Sequence, residues 1–238
     1  MMNKVYLGID IGGTAAKFGL VDENGNILHR DEFSVSFDGY ETPILKTVLE
    51  KTEYFVASSG LDFTEISGIG VSATGQIDSE KGEVIGSAGH IKNWVGSKIK
   101  ESFEKKYSVK TIVINDANSA ALGEKWIGAG RGYKNIVAIT IGTGVGGGII
   151  VDDKILLGKR GLAGEIGHIV IHGSGEGCSC GNVGCLERYA STTALVRSVS
   201  KLQKENPAAF PRDFEESING RKIFDALNEN SLLSQAVD

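Results

Sequence analysis

The chain has 238 residues, 41% hydrophobic and 23% charged, with mean hydropathy near zero, enough to bury the core of one or two soluble domains. A formal charge of −5 with no Lys/Arg-rich block excludes an electrostatic footprint for nucleic acid, and no apolar run approaches the length of a membrane span. No apolar leader precedes the first strand, so the expected setting is a reducing cytoplasm, which keeps the thiols free.

Val5 to Asp10 reads as a short buried strand, followed by Ile11-Gly12-Gly13-Thr14 and a second strand from Ala15 to Val21. Asp22 to Asn26 is a hairpin turn leading to a third strand, Ile27 to Phe33. The glycines open a β-strand rather than a helix, so neither the Rossmann nor the P-loop fingerprint applies. A plain hairpin would have no use for Asp10 and Thr14 beside them. Glu41 to about Ser58 has helical spacing, Ile66 to Val71 returns to strand, and Ser72 to Asp78 reads as a loop. An irregular polar run from Gly86 to Asn93 precedes a helix from about Val95 to Tyr107. The β-branched strand Thr111 to Ile114 ends in Asn115-Asp116-Ala117-Asn118, and Ser119 to Ile127 continues as helix. Asn115 and Asp116 thus stand at the carboxyl end of a parallel-type strand, where open α/β sheets bind ligands. Asp116 there reads as a general base or as the cap of the following helix.

The stretch from Val137 repeats the opening of the chain at an offset of 130: Asp10 matches Thr140, Gly12 matches Gly142 and Asp22 matches Asp152. An internal duplication of this kind predicts two α/β domains facing a cleft, 1–117 and 118–238. Each glycine turn would offer backbone N–H groups to one side of a polyphosphate. The chain carries 33 glycines, about twice the usual share, gathered in such loops.

All three cysteines, Cys178, Cys180 and Cys185, lie within eight Gly-rich residues downstream of His168. Three thiolates and an imidazole complete a closed tetrahedral zinc shell, a structural rather than catalytic arrangement. A Cys-x-Cys pair is a poor disulfide. His172 rivals His168 as fourth ligand, because an extended segment places both on one face. Beyond this loop a helix from about Leu186 to Gln203, a loop holding Pro207 and Pro211, and a helical segment from Ile218 toward Val237 follow. No further strand follows, so either the second domain is abbreviated or the chain is truncated, and truncation is the expectation.

Four motifs together resemble the ROK family of sugar kinases, within the actin-like (ribonuclease H-like) ATPase superfamily. They are Asp10-Ile-Gly-Gly-Thr14, Asn115-Asp116-Ala-Asn118, Ile141-Gly-Thr-Gly144, and Glu165-Ile-Gly-His168 with Cys178-x-Cys180 and Cys185-Leu-Glu187. The resemblance implies that Asp116 takes the proton of a hexose hydroxyl, usually the 6-hydroxyl, as it attacks ATP. Asp10 would hold Mg²⁺, while Gly12, Gly13, Thr14, Thr143 and Gly144 clasp the phosphates and Lys17 adds charge or is a solvated side chain. Asn115, Glu165, His168 and Glu187, with the Gly75 loop, would contact the sugar. His168 would also ligate zinc with the three cysteines. A homodimer is implied as well. This chain has Thr74-Gly75-Gln76 where the family commonly has Pro-Gly, and the family's late Gly-Gly segment against the adenosine has no counterpart before Asp238. Part of the family binds DNA through a helix-turn-helix ahead of the kinase core, but here Val5 already begins the first strand. A non-catalytic sugar-binding protein or fragment is the alternative.

Overall fold

A computed structural model describes residues 4–87, 91–210, 214, 217–227 and 233–234. The chain divides into two compact units, one of residues 1–137 and 148–163, the other of 138–147 and 164–238. The strands are β1 (Val5–Ile11), β2 (Ala15–Asp22), β3 (Ile27–Ser34), β4 (Ile66–Ala73), β5 (Gln76–Asp78), β6 (Glu83–Gly86), β7 (Thr111–Asn115), β8 (Ile136–Ile141), β9 (Val145–Val151) and β10 (Lys154–Ile155). The helices are α1 (Ile44–Ser58), α2 (Ile99–Tyr107), α3 (Asp116–Ile127), α4 (Glu187–Ala190), α5 (Thr192–Glu205) and α6 (Gly220–Asp225).

The first unit is built on a five-stranded sheet in the order β3-β2-β1-β4-β7. β1, β2 and β3 form an antiparallel meander, whereas β4 and β7 join β1 in parallel. The period of two explains why β1 and β2 stay together. Leu7, Ile9 and Ile11 face Leu20, Phe18 and Ala16 across the ladder, and all six are buried. Onto this sheet pack Ile44, Val48 and Phe55 of α1 and Ile99, Phe103 and Tyr107 of α2, apolar positions at helical spacing. Removing a ring such as that of Phe103 would cost about 3–5 kcal/mol.

Two segments of the first unit differ from the sequence expectation. Ser72 to Asp78 is not a loop: Ser72 and Ala73 finish β4, and β5 forms a hairpin with β6 in which Ile77 faces Val84, both buried. Gly75, at φ +100°, makes the corner between β4 and β5, and a Cβ there would meet the Gly86 carbonyl. The helix expected from Val95 begins at Ile99, because Trp94 to Ser97 turn sharply around Gly96 at φ +87° and bond to Val84. Residues 88–90 of the irregular polar run lie outside the described residues.

The duplication is visible in β8 and β9, which match β1 and β2, but β10 keeps only two residues of the third strand. Val137, Ile139 and Ile141 of β8 are exposed, although their counterparts Leu7, Ile9 and Ile11 are buried. In the second unit Val199 of α5, Phe210, Phe214, Ile223 and Leu233 form a small separate core. The helix expected from Leu186 to Gln203 is broken at Ser191, whose backbone is extended and whose hydroxyl caps α5 by accepting the Ala194 N–H at 3.1 Å. Of the helix expected from Ile218 toward Val237, α6 is seen, while Pro211 and most residues past 227 lie outside the described residues.

Candidate functional site

In the first unit the carboxyl ends of β1, β4 and β7 lie side by side, with Asp10 in register with Ser72 and Ala73 in register with Asn115. The Ser72 hydroxyl donates to Asp10 Oδ1 at 2.7 Å. Lys17 stands opposite Asp10 on β2, so the two share a face. β7 passes into α3 with no intervening residue. Asn115 makes this possible, since its Oδ1 accepts the N–H groups of Ala117 and Asn118 while its Nδ2 donates to the Gly75 carbonyl at 2.9 Å. The capping role therefore falls to Asn115 and not to Asp116.

Asp116 opens α3 with its side chain accessible to solvent, and one carboxylate oxygen accepts the Ala117 N–H at 2.8 Å. Enough protein surrounds the carboxyl for desolvation to be the largest influence on it. With the charge of Asp10, this pushes its pKa above the usual carboxylate range against the opposing Ala117 bond. A carboxylate held at a helix start, open to solvent and raised in basicity, is suited to taking up a proton.

Both glycine turns are fastened by their carbonyls. Gly13 O accepts the Tyr40 hydroxyl at 2.7 Å and Thr14 O accepts the Val35 N–H at 2.9 Å. Tyr40 holds this position at φ +68°, an unusual conformation for a bulky residue. In the second unit Gly142 O accepts the Thr192 N–H at 2.9 Å and Thr143 O accepts the Thr193 hydroxyl at 2.7 Å. Each fastening fixes the peptide planes and so the direction of the N–H groups, the requirement for a backbone anion nest. The break at Ser191 is what brings Thr192 and Thr193 to this turn.

The second unit also gathers one ligand atom each from His168, Cys178, Cys180 and Cys185, all within 4.8 Å of one another. The Cys178 Sγ to His168 Nδ1 and Cys180 Sγ to Cys185 Sγ distances are both 3.6 Å. Tetrahedral zinc with Zn–S bonds near 2.3 Å needs sulfur pairs about 3.8 Å apart, so the donor set fits that ion in type, number and spacing. His168 is placed by a single 3-10 turn, Ile166–His168, and its Nε2 lies 3.9 Å from Glu165 Oε2, outside hydrogen-bond distance. His172 is outside the cluster, its ring set edge-on to Tyr189. Burial pushes the Cys185 thiol up to about 12, whereas the Asn182 backbone N–H draws Cys180 down.

Residues 6–238 match the sequence model of the ROK family. The chain belongs to the ROK family. It is 35% identical over 243 residues to a glucokinase of Halalkalibacterium halodurans, covering all of this chain and 72% of the relative. Among solved structures it is similar to a ROK glucokinase from Streptomyces griseus in complex with glucose and AMPPNP, with a TM-score of 0.82 at 32% identity, covering 98% of this chain and 74% of that one. It is also similar to a ROK family transcriptional regulator, a homologue of the E. coli MLC protein, with a TM-score of 0.83 at 27% identity, covering 99% of this chain and 59% of the other. The fold is the actin-like, ribonuclease H-like ATPase fold expected from the motifs.

Within this ROK chain the expected residues fall into two groups, each gathered in its own unit. Asp10, Gly12, Gly13, Thr14, Lys17, Gly75, Asn115 and Asp116 belong to the first; Thr143, Gly144, Glu165, His168, Glu187 and the cysteines belong to the second. Sequence reasoning missed Ser72, Tyr40, Thr192 and Thr193. Ser72 becomes legible only once β4 is paired with β1. Ser191-Thr192-Thr193 did carry a signal, a run of hydroxyl residues of the kind that starts helices.

Proposed function

We propose that this protein transfers the γ-phosphoryl group of ATP to a hydroxyl of a hexose, the 6-hydroxyl of glucose or a close relative. The observation that carries the reading is the Asp116 carboxylate at the β7–α3 junction, accessible to solvent, with its pKa raised by desolvation and by Asp10. Asp116 accepts the hydroxyl proton as the sugar oxygen attacks phosphorus and ADP departs. Gly13 and Thr14 from one turn and Thr143 and Gly144 from the other donate backbone N–H groups to the phosphates, Gly12 closes the first turn with its own N–H on Ala15 O at 2.9 Å so that the backbone can approach them, and Lys17 adds charge. Asp10, steadied by Ser72, is the residue suited to the Mg²⁺ that accompanies ATP and offsets phosphate charge.

Asn115, Glu165, His168 and Glu187, with the Gly75 corner, hold the sugar hydroxyls. Asn115 Oδ1 is already committed to the α3 cap, so its contribution would come from its remaining hydrogen-bonding capacity. Zinc in the Cys₃His cluster would supply a fixed cation that keeps the His168 ring oriented. The domain halves 1–117 and 118–238, a homodimer and a cytoplasmic setting complete the proposal. Among the described residues no helix is long and apolar enough to cross a membrane.

Likeness to a ROK transcriptional regulator supports a second reading, a sugar-binding protein without phosphoryl transfer. An ADP-release screen across hexoses separates the two: release dependent on one sugar supports the kinase, whereas sugar binding with no release in its presence supports the regulator.

A further inference from the structure

The second glycine turn contains an anion before any nucleotide arrives. Glu187, the first residue of α4, accepts the Val145 N–H on its Oε2 at 3.2 Å, and the same oxygen occupies the space a Cβ at Gly144 would take, so a side chain there would displace the carboxylate. The carboxylate therefore uses the backbone donor that follows Gly142-Thr143-Gly144, and its charge sits against Gly144. α4 is held in this position from several sides. Cys185 of the metal cluster lies two residues before Glu187, the Leu186 N–H bonds Ile169 O at 2.9 Å, Arg188 pairs with Glu176 at 3.2 Å, and the Tyr189 hydroxyl accepts the Glu176 N–H at 2.9 Å. The turn does not depend on Glu187 for its shape, because Thr192 and Thr193 fasten it independently through Gly142 O and Thr143 O.

We infer that Glu187 is a sugar-responsive gate on the second phosphate turn. With no sugar bound, its carboxylate occupies the Val145 N–H and repels a phosphate. A hexose whose hydroxyls donate hydrogen bonds to the same carboxylate draws it off the turn and frees the Val145 N–H. This deepens the proposed kinase reading and rests on it: one carboxylate shared by the two substrates makes nucleotide binding follow the sugar and restrains phosphoryl transfer to water. By linkage, nucleotide must then favour sugar binding by the same factor.

The test is calorimetric titration of the full-length protein and its Glu187→Ala and Glu187→Gln variants with Mg·AMP-PNP and, separately, with inorganic tripolyphosphate, each with and without glucose. Glu187→Ala should bind both anions roughly five- to tenfold more tightly than the parent in the absence of sugar, the usual size of a coupling between sites. Glucose should tighten binding to the parent by a similar factor and leave the variant unchanged. If Glu187 merely supports the turn, the sign reverses and the alanine variant binds more weakly, which overturns the gate. So does a parent whose anion affinity ignores glucose, or the absence of binding by all three proteins. Should Glu187→Ala fail to fold, Glu187→Gln carries the test: it keeps the shape and loses the charge, and unchanged or weaker binding refutes the inference. Failure of the kinase reading shows separately, as no phosphoryl transfer to any hexose while the alanine variant still gains tripolyphosphate affinity.

Discussion

Asp116 is where residue-scale physics bears most directly on function. Its carboxyl is open to solvent yet crowded by protein, and Asp10 adds a like charge nearby. A general base must be deprotonated, so the rate should fall as pH drops through this raised pKa. The acid limb of kcat/KM should lie above the range of an ordinary carboxylate, and Asp10→Asn should move the Asp116 titration down, measured by carboxyl NMR. Asp116→Asn should lower kcat by about 10²- to 10⁴-fold with sugar affinity preserved, measured by steady-state kinetics and calorimetry. The same group carries a stability signature of opposite sense. A raised folded-state pKa means the folded protein holds the proton more tightly than the unfolded chain, so the ionised form costs stability at high pH. Asp116→Asn should melt slightly higher than the parent at pH 8, and the difference should shrink as the pH falls through the raised pKa and vanish below the ordinary carboxylate range.

At the scale of elements, the junctions decide the site more than the elements do. β7 runs straight into α3 because Asn115 caps it, and the α4–α5 break exists because Ser191 caps α5. Ser191→Ala should cost about 1 kcal/mol in urea unfolding and should raise KM for ATP, since Thr192 and Thr193 lose their fixed approach to Gly142 and Thr143. These junctions also mark the limit of what the sequence made legible. β1, β2, β3, β7 and α1 could be read from apolar periodicity and the Asp22–Asn26 turn, as could the glycine repeat. β5 and β6 could not: Gln76-Ile77-Asp78 is too short for a period, and its partner becomes evident only when Ile77 meets Val84. The sequence offered Asp116 as the cap of α3, and only the hydrogen bonds of Ala117 and Asn118 assign that role to Asn115. His168 and His172 were likewise equivalent on an extended strand, but the 3-10 turn at Ile166–His168 sends one into the cysteine cluster and leaves the other against Tyr189.

At the scale of the whole molecule, the Cys₃His cluster is the feature that ties the second unit's loops together. It brings the His168 turn together with the glycine-rich segment that leads into α4 through four side chains. Ligand binding requires thiolates, and the Cys185 proton must leave a thiol held near 12, so metal affinity should rise with pH. Cys180→Ala should reduce bound zinc well below one equivalent by elemental analysis and weaken sugar affinity; full metal content in that variant would refute the site. The account as a whole stands on phosphoryl transfer with Asp116 as base. Its most direct test is phosphorus NMR of the protein with ATP, Mg²⁺ and glucose beside the Asp116→Asn variant. The account predicts a sugar monophosphate and ADP from the parent and almost none from the variant at equal sugar occupancy. Turnover by the variant at the parental rate would contradict it.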